Sequence, residues 1–328
     1  MPQTVRTRIR IDRPLADVDP AERRRELGAA LTERPRRIPS QYFYDDRGSA
    51  LFEAITALPE YYPTRAEAAL LAAVADEVVA RSGARTLVEL GSGAATKTRL
   101  LLDSMERAGR LDLYVPVDVS ASTVQRTAGE LVERYPGLSV HGVVGDFLAH
   151  LDIVPVDEGP RLVIFLGGTI GNLEPPAARE FLARVTDRMR PGERFLLGVD
   201  LIKDPARLVA AYNDAGGVTA EFNLNALRVV NRLLDGDFDP AGFRHHAPWN
   251  AAMHRIEMWL VARRAMRVRL AALGRTLDLE EGEGILTEVS TKYDEALAGE
   301  LLAAAGFSLE RWFVADEPLF GLALAVRR

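Results

Sequence analysis

The feature that most constrains this chain is an apolar run, Thr86-Leu87-Val88, that passes through Glu89-Leu90 into Gly91-Ser92-Gly93. A short β-prone run closed by glycines reads as a buried strand ending in a tight turn. A second run, 113–117, ends in an acid, Asp118. Together they point to a nucleotide-type ligand at the carboxyl edge of a parallel sheet, with Asp118 able to accept from two ribose hydroxyls. The glycine spacing narrows the ligand. A dinucleotide loop wants a glycine where this chain has Thr96, and no Gly-x-x-x-x-Gly-Lys-Ser/Thr occurs, which argues against a phosphate cradle. A Glu-x-Gly-x-Gly strand end followed by an acidic second strand fits S-adenosylmethionine (SAM) better. SAM has no phosphates and needs only close backbone approach.

From Thr86 the pattern alternates strand and helix. Strands are predicted at 86–90, 113–117, 139–144, 161–166 and 194–200, and helices at about 96–108, 120–134 and 176–190. This is a doubly wound α/β pattern with right-handed crossovers. After Asp200 the alternation stops. Residues 204–234 read as helical and 252–272 as two strands joined through Arg-Arg-Ala. Residues 276–290 carry an acidic glycine loop in which Glu281 and Glu283 are expected in solvent. Helix and strand return at 293–305 and 308–315, and an alternating strand, 320–326, ends the chain. Towards the N-terminus a helix is predicted over 21–34, closed by Pro35 and Pro39. Thr64 is the expected cap of an Ala-rich helix reaching Arg81. Between them, 41–63 holds four of the chain's eight tyrosines. The simplest reading is a parallel-sheet core interrupted by an insertion. The insertion and the N-terminal segment form a second, smaller unit over the sheet edge, with the ligand cleft between the two.

Composition bounds the function. With 48% hydrophobic and 27% charged residues over 328 positions, a packed core is expected. A formal net charge of -6 disfavours a general nucleic-acid binder. With no cysteine there is no disulfide, thiolate metal site or cysteine nucleophile. No apolar run approaches the roughly 20 residues that span a bilayer. The N-terminus lacks a signal-peptide core, and Asp12, Asp17, Asp19, Glu22 and Glu26 argue against a transit peptide. The expectation is a cytoplasmic monomer acting on a small molecule, without a nucleic-acid or membrane partner. Only Lys97, Lys203 and Lys292 among 41 basic residues are lysines, a bias assigned to a GC-rich genome. His245 and His246 are adjacent and point in different directions, so no metal is expected.

Two further segments carry site chemistry. In Gly145-Asp146-Phe147, after the third strand, Asp146 can accept from an adenine amino group while Phe147 packs on the ring; the bland alternative is a turn Asp with a core Phe. In 165–172, after the fourth strand, three glycines permit close approach of backbone and ligand. There Asn172 offers a donor and an acceptor to an amino or carboxylate group beside the sulfonium.

Tyr42-Phe43-Tyr44-Asp45, Leu58-Pro59-Glu60-Tyr61-Tyr62-Pro63-Thr64-Arg65, Glu89-Leu90-Gly91-Ser92-Gly93, Pro116-Val117-Asp118-Val119-Ser120, Gly145-Asp146-Phe147, Gly167-Gly168-Thr169-Ile170-Gly171-Asn172 and Thr287-Glu288-Val289-Ser290 occur in one order. In this the chain resembles the histidine-specific SAM-dependent methyltransferases of ergothioneine biosynthesis, from about residue 20 onward. The resemblance implies a Rossmann-like class I methyltransferase core, 66–202 and 293–328, and a smaller α+β substrate domain, 1–65 and 203–292. It implies transfer of three methyl groups to the α-amino nitrogen of L-histidine, giving hercynine. It assigns Gly91, Lys97, Asp118, Asp146 and Phe147 to the cofactor. Tyr61, Asn172 and Tyr212 hold the amino acid's carboxylate and amino end, with Tyr44 near the amino nitrogen. Tyr44 and Asn172 are the expected catalytic pair. Met258, Glu288 and Ser290 line the imidazole pocket, with Glu288 facing a ring N–H. The competing readings are methylation of tryptophan or another amino acid, a non-catalytic SAM-binding regulatory module and, weakest, an NAD-dependent dehydrogenase.

Overall fold

The computed structural model describes residues 8–14, 19–154 and 159–328. Asp17, one of the acids weighed against a transit peptide, lies outside the described residues. The chain opens with β1 (Ile9–Asp12), α1 (Pro20–Thr32), α2 (Asp46–Thr56) and α3 (Pro63–Ser82). Alternation follows: β2 (Thr86–Leu90), α4 (Arg99–Arg107), β3 (Leu113–Asp118), α5 (Ala121–Arg134), β4 (Ser139–Val144), β5 (Arg161–Phe165), α6 (Pro175–Asp187) and β6 (Arg194–Asp200). Next come α7 (Pro205–Tyr212), α8 (Val218–Leu234), β7 (Phe243–His246), β8 (Trp249–Asn250), β9 (Arg255–Ala262), β10 (Met266–Leu270), β11 (Arg275–Leu279) and β12 (Gly284–Thr291). The chain ends with α9 (Glu295–Ala304), β13 (Phe307–Val314) and β14 (Phe320–Arg327).

Among the described residues, eight strands form the main sheet in the order β1-β4-β3-β2-β5-β6-β14-β13. The strands are parallel except β14, which runs antiparallel to β6, and β13, antiparallel to β14. Successive side chains leave a strand on opposite faces, so Leu87 and Val88, or Phe195 and Leu196, enter different cores. Leu87, Ile164 and Leu196 pack with α3, α4 and α5 on one face. Val88, Phe165 and Phe195 pack with α6 and α9 on the other. A strand buried on both faces must be apolar throughout, which is why the five predicted core strands stood out. The order reverses at β2, between β3 and β5, and the crevice outside the carboxyl ends there is where such sheets bind ligands.

A third apolar core joins Leu27 and Leu31 of α1, Phe43, Leu208 of α7, Phe222 and Val230 of α8, and Met258 and Leu260 of β9. The small sheet β12-β9-β7, with β8 on β9, supports it. Four expectations need correction. Ile9–Asp12 pairs in parallel with β4, so part of segment 1–65 belongs to the core sheet; a four-residue edge strand reading Ile-Arg-Ile-Asp carries little local signal. Thr64 caps nothing: Pro63 is the first helical residue and Tyr62 the cap, without a side-chain bond. Proline suits that position because its missing N–H would be orphaned there anyway. The stretch 204–234 is two helices, broken where the Asp214 carboxylate accepts from the Val218 and Thr219 N–H groups. Glu283 is not solvated. It pairs with Arg36 at 2.8 Å and Arg34 at 2.7 Å; burial pushes its carboxyl up, but the Glu280 N–H and the two arginines prevail and hold it below its ordinary value.

Candidate active site

At the β2 end, Gly91 (φ 72°) and Gly93 (φ 49°) turn through the left-handed region, where a side chain costs about 1–2 kcal/mol. The turn is pinned to β3: Gly91 N–H donates to Val117 O at 2.8 Å, and Gly93 N–H to the Asp118 carboxylate at 2.8 Å. Asp118 also accepts from Ser120 N–H at 2.9 Å. Burial raises its pKa against these backbone bonds. A Cβ on Gly91 would lie 3.6 Å from the Phe147 ring, so Gly91, Asp118 and Phe147 meet at the crevice. Asp146 accepts from Leu148 N–H at 2.8 Å. Phe147 is half-buried, edge-on to Phe165 and Phe181 with centroids 5.1 and 5.5 Å away. Glu89, read as part of the ligand loop, turns instead into the core. It accepts from Thr98 at 2.7 Å and from Tyr114, and burial raises its pKa to about 7. It braces the loop from behind. Lys97 pairs with Glu67, whose other oxygen accepts from Gly167 N–H at 2.7 Å.

Beside this crevice lies a cavity of about 440 Å³, including its open mouth. Tyr44, Tyr61, Asn172, Tyr212, Glu288 and Ser290 all line it. Met258 does not; it is buried beneath, directly opposite Glu288 in the β9–β12 ladder. Local structure explains each position. The Asp45 carboxylate caps α2 through Gly48 N–H at 2.8 Å and accepts from Asn225 and Arg232, which fixes the adjacent Tyr44. The Tyr44 ring packs edge-on to Phe52 and Phe222 at 5.7 and 5.9 Å. Tyr61 packs edge-on to Tyr212 at 6.3 Å. The 3-10 turn Thr169–Asn172 approaches β12 so closely that a Cβ on Gly171 would lie 2.5 Å from Thr291 O.

Glu288 and Ser290 reach the cavity through a bulge. Leu286 pairs with Trp259 and Glu288 with Met258, leaving Thr287 as the extra residue. An extra residue shifts the strand's two-fold alternation by one. Ile285 therefore faces inward before the bulge, and Glu288 and Ser290 after it. Glu288 is half-buried, lines the cleft, and has no hydrogen-bond partner among the described residues. Burial raises its pKa to about 7, against the opposing pull of Lys292. Burial raises the pKa of Tyr44, Tyr61 and Tyr212 well above the ordinary value, so these phenols stay protonated.

One charged group was not anticipated. Asp200, at the end of β6, lines the cavity and accepts from Tyr62 at 2.9 Å, Lys203 at 2.5 Å and Lys292 at 2.9 Å. The attraction of the two lysines overcomes burial and holds its carboxyl low. The available signal was the lysine count: in an arginine-rich chain, all three lysines pair with carboxylates around this cleft. His245 is also structural, held between Asn223 and Tyr212 O. No metal-ligating cluster occurs among the described residues.

Sheet order, glycine loop and acidic second strand define a class: a Rossmann-like, SAM-dependent methyltransferase. A family model described as "Histidine-specific methyltransferase, SAM-dependent" matches residues 23–327, and the chain belongs to that family. Among relatives, "Histidine N-alpha-methyltransferase" of Mycobacterium tuberculosis is 50% identical over 304 residues, covering 93% of this chain and 94% of the relative. The protein of the same name from Mycolicibacterium smegmatis has the same identity and coverage. "Ergothioneine biosynthesis protein 1" of Neurospora crassa is 32% identical over 89% of this chain, which spans 33% of that longer protein.

Proposed function

We propose that this enzyme transfers three methyl groups from SAM to the α-amino nitrogen of L-histidine, giving hercynine for ergothioneine biosynthesis. The observation that carries the reading is Glu288: a carboxylate without a partner, turned into a tyrosine-walled cavity beside the methyl-donor crevice. A half-buried carboxylate with no protein donor among the described residues makes a charge-assisted hydrogen bond to a ligand N–H, so the cavity favours a ligand that brings one. The names of the two mycobacterial relatives support the same substrate.

SAM, when bound, supplies an electrophilic methyl on a sulfonium. Gly91, Asp118, Asp146 and Phe147 suit its adenosine half by their meeting at the crevice, and Lys97, with Glu67, stiffens the Gly167 loop. The rest is alignment and exclusion of water. Asn172 and Tyr61 hold the amino acid's carboxylate and amino end, while Tyr212, bonded to Ser290 at 2.7 Å, serves the ring side with it. Tyr44, a protonated phenol, orients the neutral amine rather than deprotonating it. As methyls accumulate, the ammonium product is stabilised by the faces of Tyr44, Phe52 and Tyr61. In this reading 1–65 and 203–292 recognise the amino acid, apart from β1. The test is stoichiometry. With SAM in excess, three S-adenosylhomocysteine molecules should appear per histidine, with trimethylhistidine as end product; arrest at one or two methyl groups would refute the trimethylation.

A further inference from the structure

Lys292 has no solvent exposure, and its ammonium spends all three protons: on Asp200 at 2.9 Å, Tyr212 Oη at 3.0 Å and Ser290 Oγ at 2.6 Å. Tyr212 and Ser290 also bond to each other at 2.7 Å. Both hydroxyl oxygens accept from the ammonium, and one hydroxyl proton joins the pair. One hydroxyl proton is left over, and both residues line the cavity. We propose that Lys292 is a positioning residue that makes the Tyr212–Ser290 pair a one-proton donor to the cavity. With Glu288 demanding an N–H and the pair demanding a bare acceptor, the site selects a neutral imidazole over an imidazolium.

This deepens the histidine reading and rests on it. Three features favour the assignment. The ammonium's charge opposes a second cation beside it. Its bond to Tyr212 Oη at 3.0 Å and to Ser290 Oγ at 2.6 Å holds both hydroxyl oxygens from one side. A compact three-proton donor fits this tetrahedral arrangement, whereas a planar guanidinium does not, consistent with a lysine surviving here in an arginine-rich chain. Asp200 keeps Lys203 and Tyr62 when Lys292 is removed, so Lys292→Met leaves no orphaned acid.

The experiment uses ring-15N histidine bound to the full chain with S-adenosylhomocysteine, read by NMR, alongside steady-state kinetics. Wild type should show one protonated and one bare, hydrogen-bonded ring nitrogen. In Lys292→Met that hydrogen-bond signature should vanish or the ring should take up a proton. KM for histidine should rise about fivefold to thirtyfold, with kcat changed less than about threefold. Lys292→Gln, a neutral donor, should recover part of the loss, and it carries the same readout if the Met variant fails to bind S-adenosylhomocysteine. A doubly protonated ring on wild type, or unchanged ring signals and KM in the variant, would overturn the assignment. Wild type that binds no histidine would overturn the functional reading instead.

Discussion

Replacing Glu288 by glutamine removes a charge and keeps the shape. An N–H donated to a carboxylate is worth about 1.5–3 kcal/mol and to a neutral carbonyl about 0.5–1.5. The difference, about 1–2 kcal/mol, is about fivefold to thirtyfold in kcat/KM. The advantage exists only while Glu288 is ionised. Its pKa of about 7 makes it roughly 97% ionised at about pH 8.5 and roughly 3% at about pH 5.5. The assay is kcat/KM for histidine in both enzymes across this range. The substrate's own titrations are common to both and cancel in the ratio. Wild type over Glu288→Gln should rise through about pH 7 to a plateau of about fivefold to thirtyfold. A ratio that stays flat with pH, or a variant as efficient as wild type at the alkaline end, would refute the argument that a carboxylate in this cavity reads the ring.

The same carboxylate carries a stability cost. Its folded pKa lies above its unfolded one, so its stabilising contribution is complete below about pH 4.5 and lost as pH rises through about 7; Glu288→Gln should therefore melt higher than wild type at about pH 8.5 and alike near pH 4.5 in thermal denaturation without ligand. Asp45→Ala removes the α2 cap and the acceptor for Asn225 and Arg232; denaturant titration should register a loss of about 1–2 kcal/mol, and kcat should fall about tenfold as Tyr44 shifts. Gly171→Ala drives a Cβ into Thr291 backbone. It should cost about 1–3 kcal/mol in the same titration and raise KM for histidine with S-adenosylhomocysteine binding retained.

What was legible in the sequence was what local pattern encodes. The parallel strands are apolar on both faces, and β2 through β6 appeared at nearly their observed limits. The glycine loop was legible because left-handed backbone demands glycine. Short or polar strands were not: β1 owes its existence to β4, distant in the chain, and the His-containing β7 to its pairing with β9. The inward turn of Glu288 and Ser290 was equally hidden. Read as a regular strand, 284–291 puts Ile285 and Val289 on one face and Glu288 on the other; only the bulge at Thr287 reverses this. Asp200 and Lys292 lie 92 positions apart, and nothing local announces that the fold closes them onto one another.

The most direct measurement of the central claim is a competition. The purified protein is incubated with SAM and an equimolar mixture of the twenty proteinogenic amino acids, and methylated products are read by mass. Trimethylated histidine should dominate. Preferential methylation of another amino acid would contradict the reading of Glu288, and the absence of any methylated amino acid would contradict the proposed activity itself.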